Sequence, residues 1–332
     1  MSTSPTLPPL LQRFFTDRLL DQLGASPHTV ASYRDTFRLL LLYAAQQLKR
    51  PPSKLLMEDL DVHFLAKFLD HLERDRGNTA RTRNSRLSAL HAFFQFVALN
   101  EPALALNCQR ILAMPAKRCE HRPVEFLTED EMAALISAPD VRTWIGRRDR
   151  AILLFALQTG LRNSEIRSLR NQDLELRTGA HIRCIGKGRK ARCTPLRPDV
   201  VAILKEWTEE QRGTPDDPLF PGLSGNPLSA DAFQRLVARH VVTAALGCPA
   251  LKTKHVTPHT LRHAAAMALL RRGVGSTVIA LWLGHESIES TQVYLHADME
   301  IKERALAYAT PSGQVPGRFR PTDPLLAFLE SL

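Results

Sequence analysis

The chain has 332 residues, 44% of them hydrophobic and 23% charged. That is core material enough for one large domain or two ordinary ones. The net charge of +10 fits a polyanionic partner. A basic protein with no such partner explains the charge alone equally well. Cys108, Cys119, Cys184, Cys193 and Cys248 form neither a Cys-x-x-Cys pair nor a metal-ligand spacing, which fits a reducing compartment. The start, MSTSPTLPPLLQRFF, lacks the basic segment and apolar run of a secretory signal. The richest apolar run, LLLLYAA, is far too short to span a membrane. A cytoplasmic protein is expected.

Residues 10–100 read as a bundle of about four helices. Val30, Tyr33, Phe37, Leu40, Leu41 and Ala44 recur at three- and four-residue intervals, and Pro51-Pro52 stops that stripe. Val62, Leu65, Phe68, Leu69 and Leu72 make the next stripe, and Leu87, Leu90, Phe94 and Val97 another. Leu10, Phe14, Leu19 and Leu20 complete the bundle. Arg81, Arg83 and Arg86 fall in the first two turns of the fourth helix, among Thr79, Thr82, Asn84 and Ser85. They read as one basic, hydroxyl-rich face suited to phosphate contacts, although a solvated helix surface is the plainer reading. Residues 1–117 hold 15 Lys+Arg and 10 Asp+Glu, about half of the excess charge.

Residues 105–126, with Pro115, Lys117-Arg118 and Pro123, read as an extended linker. The expected division is an N-terminal helical domain over 1–114, a linker over 115–125, a second domain over 126–312 and a tail over 313–332. The second domain opens on a capping box, Thr128-Glu-Asp-Glu131. A buried helix over 143–157 follows, and Gly160 then breaks the chain so that Arg162 turns into a pocket, with Glu165 on the next short helix. The period changes at HIRCIGKGRKARCTPL, a β-hairpin whose tip carries Lys187, Arg189 and Lys190. Cys184 and Cys193 read as ordinary strand residues there. Helices follow over 198–212 and 229–246.

The stretch Thr257–Tyr294 organises the rest. Thr257 caps a helix with Pro258 at its first position. His259 and Arg262 then share a face near a helix N-terminus, itself an anion site. His285 follows in Leu-Gly-His, and Tyr294 lies nine residues beyond it. These groups fit a phosphodiester. Planar guanidiniums at Arg162 and Arg262 match a five-coordinate phosphorus bidentately. A tyrosine with a pKa near 10 needs a base, for which His259 serves. Lys187 can protonate the leaving oxygen, and His285 can donate to a phosphate oxygen. His259 and His263 have a zinc-like spacing, but HTLRH lacks the glutamate and a third ligand. No metal and no cofactor are expected.

The motifs TGLR-x-SE at 159–165, IGKGRKAR-x-TPL at 185–196, H-x-LRH at 259–263, LGHES at 283–287 and T-x-x-Y-x-H at 291–296 resemble the tyrosine recombinase (phage integrase) family. Within the family the resemblance is to Xer-type site-specific recombinases. It implies a mostly α fold with a small β-sheet or hairpin, arranged as a two-domain clamp. Arg162 and Arg262 would hold the scissile phosphate, Lys187 would be the general acid, His259 and His285 the histidine pair, Glu165 a supporting carboxylate and Tyr294 the nucleophile. The product would be a 3′-phosphotyrosyl link that needs no ATP to rejoin. Double-stranded DNA carrying specific recombination sites is the implied partner. A homotetramer on DNA, or an assembly with related recombinases, is the implied complex. Leu325, Leu326, Phe328, Leu329 and Leu332 of the tail fit docking into a neighbouring subunit. A mobile-element origin is the expected setting. One departure is Ala264-Ala-Ala-Met after the H-x-LRH motif, where the family often has Ser/Thr-Phe-Ala-Thr. Competing readings are a type IB topoisomerase using the same chemistry and a DNA-binding accessory protein that does not cleave.

Overall fold

The computed structural model describes residues 6–119, 125–186 and 190–284. The chain divides into two compact units, Met1–His121 and Arg122–Leu332.

In the first unit, helix α1 (Leu7–Arg13) runs on as a π-helical segment, Phe14–Gln22. Then come α2 (Pro27–Leu48), α3 (Val62–Arg74) and α4 (Ala80–Asn100). Each of the three starts at a side chain that accepts from an otherwise orphaned N–H. Ser26 Oγ takes Thr29 N–H at 3.2 Å, Asp61 Oδ1 takes Phe64 N–H at 2.7 Å, and Thr79 Oγ1 takes Thr82 N–H at 3.3 Å. The expected apolar stripes meet in one core, where the Phe14, Phe37 and Phe93 rings lie 5.1–6.1 Å apart, but Leu20, expected there, is exposed because Leu19 beside it takes the inward position.

Two expectations are corrected here. The extended linker does not begin at residue 105, because Ala105–Leu112 forms a helix, α5. Cys108 and Ile111, three apart, are buried in the core, and burial of that face outweighs the prolines that follow. The three arginines of α4 do not form one basic face. Successive helical residues turn by about 100°, so Arg83 and Arg86 point inward while Arg81 is exposed. Arg83 Nε lies 3.5 Å from Glu73. Arg86 donates to Ser32 O at 3.1 Å and to Thr36 Oγ1 at 3.0 Å.

The second unit opens with α6 (Glu129–Ser137), whose capping box is formed: Thr128 N–H donates to Glu131 Oε2 at 2.8 Å. Helix α7 (Trp144–Thr159) is buried at every position from Ala151 onward and packs against several other helices. After α8 (Asn163–Ser168) comes a three-stranded antiparallel sheet, β1 (Leu174–Glu175), β2 (His181–Ile185) and β3 (Ala191–Pro195), in that order. The expected hairpin is β2–β3, with Cys184 opposite Arg192 and Arg183 opposite Cys193. Neighbouring positions point to opposite faces, so the two cysteines do not face each other. Helices α9 (Pro198–Gln211), α10 (Ala230–Gly247), α11 (Pro258–Arg271) and α12 (Ser276–Leu283) complete the unit.

Helices α7 and α10 are tied by a fully buried carboxylate. Asp149 Oδ1 accepts from Arg148 at 2.7 and 3.0 Å, and Oδ2 accepts from Arg239 at 2.6 Å and His240 at 2.7 Å. Burial is the largest single influence on the Asp149 pKa and raises it. The His240 and Arg148 bonds and charges together outweigh burial, so the pKa is lowered. Removing the carboxylate charge strands the buried Arg148 beside a buried His240. Asp149→Asn should therefore lose about 3–5 kcal/mol at pH 7, read from the midpoint of a urea titration with unchanged slope. Because the folded pKa is depressed, this stability is present above the unfolded value of about 3.9 and lost as pH falls. The deficit of the variant should shrink in acid.

Candidate active site

The site is built where helices end. Gly160 closes α7 in the left-handed region, φ 62°, a conformation that favours glycine. Two residues on, Arg162 caps α8, and its backbone N–H donates to Glu165 Oε2 at 2.7 Å. Gly284 closes α12 in the same way, φ 64°. The last carbonyls of a helix lack intrahelical partners and carry the negative end of its dipole. Here they receive guanidiniums. Arg262 donates to Gly160 O and to Leu283 O, both at 2.8 Å. Arg162 donates to Gly284 O at 2.9 Å and to Glu165 Oε1 at 3.0 Å. Trp282 adds a bond from its indole to Thr159 O at 3.0 Å.

Arg162, His259 and Arg262, distant in sequence, line one open cleft of about 440 Å³. The N-terminus of α11 lies in the same wall, with Thr257 Oγ1 accepting from Thr260 N–H at 3.3 Å as expected. Arg262 is buried, whereas Arg162 keeps 30% of its side chain exposed. His259 sits at the exposed rim. Partial desolvation, then the charges of Arg262 and Arg162, hold its pKa below the ordinary imidazole value. A neutral imidazole beside two fixed cations can accept a proton, and the cations can hold an oxyanion.

Glu165 is buried and accepts four bonds: two from Arg162 and two from Arg192, the latter at 3.1 and 2.7 Å. Burial works hardest to raise its pKa. The bonds from Arg192 and from the Arg162 N–H, with the arginine charges, outweigh it and hold the carboxyl below the usual range. Sequence reasoning misses Arg192, although the hairpin register contains the signal. Ile182 and Cys184 are buried, so their cross-strand partners Thr194 and Arg192 belong to the buried face. Ser164 of the TGLR-x-SE motif also lines the cleft, as do Asn163, Arg167 and Gln234, to which no motif residue points. Lys190 is exposed at the foot of the hairpin. Lys187, Arg189, His285, Tyr294 and the apolar tail lie outside the described residues. Among the described residues there is no cluster of three or more His, Cys, Asp or Glu able to hold a metal ion, and no helix long and apolar enough to cross a membrane.

Two arginines and a histidine around an open cleft have the chemistry to hold a phosphoryl group. Comparison with known proteins narrows that reading. Residues 125–300 match the phage integrase family, and residues 12–101 match its N-terminal SAM-like domain. A protein of Sinorhizobium fredii named as an integrase/recombinase, y4rC, is 49% identical over 100% of both chains. Tyrosine recombinase XerD of Pseudomonas putida is 32% identical over 92% of this chain and 98% of its own. The XerH site-specific recombinase, in its post-cleavage complex with palindromic difH substrate, has a similar fold. Its TM-score is 0.67 at 22% identity, over 86% of this chain and 80% of that one. The chain belongs to the phage integrase family, the tyrosine recombinases, which are DNA breaking-rejoining enzymes.

The left-handed turn at Gly160 gives a test of the site's frame. A Cβ there would lie 2.6 Å from Leu283 Cδ2. Gly160→Ala should cost at least about 1–2 kcal/mol from the backbone alone, measured by denaturant unfolding. Wild-type stability in that variant would show that the turn is not under this constraint.

Proposed function

We propose that this recombinase cleaves duplex DNA at specific sites through Tyr294 and rejoins it to a second partner strand. The observation that carries the reading is the convergence of Arg162, Arg262 and His259 on one cleft. In this scheme Arg162 and Arg262 hold the non-bridging oxygens of the scissile phosphate. Each such donor is worth about 3 kcal/mol in the transition state. The Tyr294 hydroxyl attacks phosphorus while His259 takes its proton. The bond to the 5′ oxygen breaks, and Lys187 protonates that oxygen. His285 donates to a phosphate oxygen. The tyrosine is left linked to the 3′ phosphate, and attack by an incoming 5′-hydroxyl reverses each step, so the bond energy is kept.

The domain division, and the clamp it implies, belong to the same reading. The helical module over 1–114, joined through residues 115–125, grips the duplex, and the catalytic module over 126–312 acts on it. Of the three arginines on α4, the exposed Arg81 is the one assigned to phosphate. Arg189 and Lys190 of the hairpin are assigned to the duplex near the cleavage point. The working complex is a homotetramer on two sites, or an assembly with related recombinases, with residues 313–332 joining subunits.

The test works on a target of any sequence. The protein is incubated with a pool of randomised duplexes, nicked so that cleavage traps the adduct, and covalent complexes are recovered after denaturation and sequenced. Recovery of one enriched sequence, lost in Tyr294→Phe, is the expected result. Equal recovery with Tyr294→Phe would assign the nucleophile elsewhere.

The adduct rate gives a second prediction. His259 must be neutral to accept a proton, and its pKa lies below the ordinary value of about 6.5. The rate should stay level from neutral pH down past 6.5 and fall only below it. In His259→Gln that acidic limb should vanish and the rate at neutral pH should drop by about 100-fold or more. A wild-type limb centred above 6.5 would argue against His259 as the base.

A further inference from the structure

We infer that Arg192 is a positioning residue. Through the buried Glu165 it fixes the Arg162 guanidinium and ties the β2–β3 hairpin to the phosphate site. The inference rests on the reading of Arg162 as a phosphate ligand.

The geometry has three parts. Arg192 Nη1 and Nη2 meet Glu165 Oε1 and Oε2 at 3.1 and 2.7 Å, a two-pronged bond that fixes the carboxylate plane. With the two bonds from Arg162, Glu165 accepts four hydrogen bonds. An ionised carboxylate has about four such sites. Glu165 is thus filled by the protein and has no lone pair left for substrate. Its work is to hold Arg162. The third part is Gly284, whose carbonyl binds Arg162. A Cβ on Gly284 would come within 2.7 Å of Arg192 Nη1. Arg192 therefore lies where the hairpin, the start of α8 and the end of α12 meet. The hairpin stays closed beyond its strands, with Gly186 N–H donating to Lys190 O at 2.8 Å.

Charge gives the reason for a second arginine. Arg162 paired with Glu165 alone is a neutral couple, and a phosphate in the cleft would gain little from it. Arg192 neutralises the carboxylate from the other side. Its side chain is 14% exposed and that of Glu165 3%, so water screens the exchange weakly. The group Arg162–Glu165–Arg192 then carries a net positive charge, and the solvent-exposed part of it is Arg162. Among the described residues Cys184 also lies near Glu165, and burial pushes its thiol up to about 11, so it stays neutral and contributes no charge. Lysine cannot replace Arg192 fully, since an ammonium offers no planar fork.

The test compares Arg192→Gln, Arg192→Lys, Glu165→Gln and the double variant Glu165→Gln/Arg192→Gln on the duplex recovered by covalent capture. Arg192→Gln should slow adduct formation by about 100-fold, as loss of a transition-state donor does. Non-covalent affinity for the same duplex should stay within about 2-fold. Arg192→Lys should recover only part of the rate. The double variant should be no slower than Glu165→Gln, because Arg192 acts through that carboxylate. A second measurement needs no DNA. In the free protein the ¹⁵N relaxation of the Arg162 side chain should report an ordered group, which loosens in Arg192→Gln. Additive rate losses, or an Arg162 side chain equally ordered in both proteins, would overturn the inference. Should Arg192→Gln fail to fold, Arg192→Lys carries both comparisons. Absence of any adduct with the unaltered protein would sink the recombinase reading instead, and the Arg162 measurement would still decide the role of Arg192.

Discussion

The catalytic unit depends on how guanidiniums are kept charged inside protein. A buried cation needs a counter-charge, and a carboxylate supplies one at the cost of cancelling it. This chain also uses helix C-termini. Arg262, 2% exposed, is held by the carbonyls of Gly160 and Leu283, and Arg162 reaches Gly284 O. These carbonyls would otherwise be orphaned at helix ends, so the same bonds cap α7 and α12. A carbonyl carries only partial charge. It can orient a guanidinium and leave most of its charge for an anion.

That arrangement explains why two glycines close the two helices. A left-handed last residue swings the chain away, so the terminal carbonyls remain open to a side chain from another element. Gly160 and Gly284 both take that conformation, at φ 62° and 64°. Each end then receives an arginine distant in sequence, Gly160 from Arg262 and Gly284 from Arg162. Among the described residues, Arg162 and Arg262 are held by backbone at the ends of α7 and α12. Electrostatic catalysis relies on such fixed donors, because they need little reorganisation as charge develops.

Much of this was legible in the sequence, for local reasons. The cap at Thr257, the box at Thr128–Glu131, the α7 break at Gly160 and the β2–β3 hairpin are each written in a few adjacent residues. The apolar stripes of α2, α3 and α4 gave their buried faces correctly for the same reason. Illegible features come from contacts across sequence. Helix α5 carries linker-like prolines after it and is helical because Cys108 and Ile111 reach the core. Arg192 meets Glu165 over 27 positions, and no local pattern states that pairing. Arg162, His259 and Arg262 could be picked out through motif resemblance, while their convergence on one cleft required the fold.

Charge counting fails for a related reason. On α4, Arg83 faces Glu73 and Arg86 faces the Ser32 carbonyl and the Thr36 hydroxyl, so both are committed to the fold that presents Arg81. In the catalytic unit Asp149 cancels one of the two charges of Arg148 and Arg239, and Glu165 one of the two of Arg162 and Arg192. An arginine matched to a buried carboxylate adds almost nothing to the long-range field, because the pair is nearly neutral at a distance. A basic composition therefore indicates a polyanionic partner only through the arginines the fold leaves uncancelled. In the cleft Arg162 keeps such charge, because the carboxylate beside it is matched from behind by Arg192.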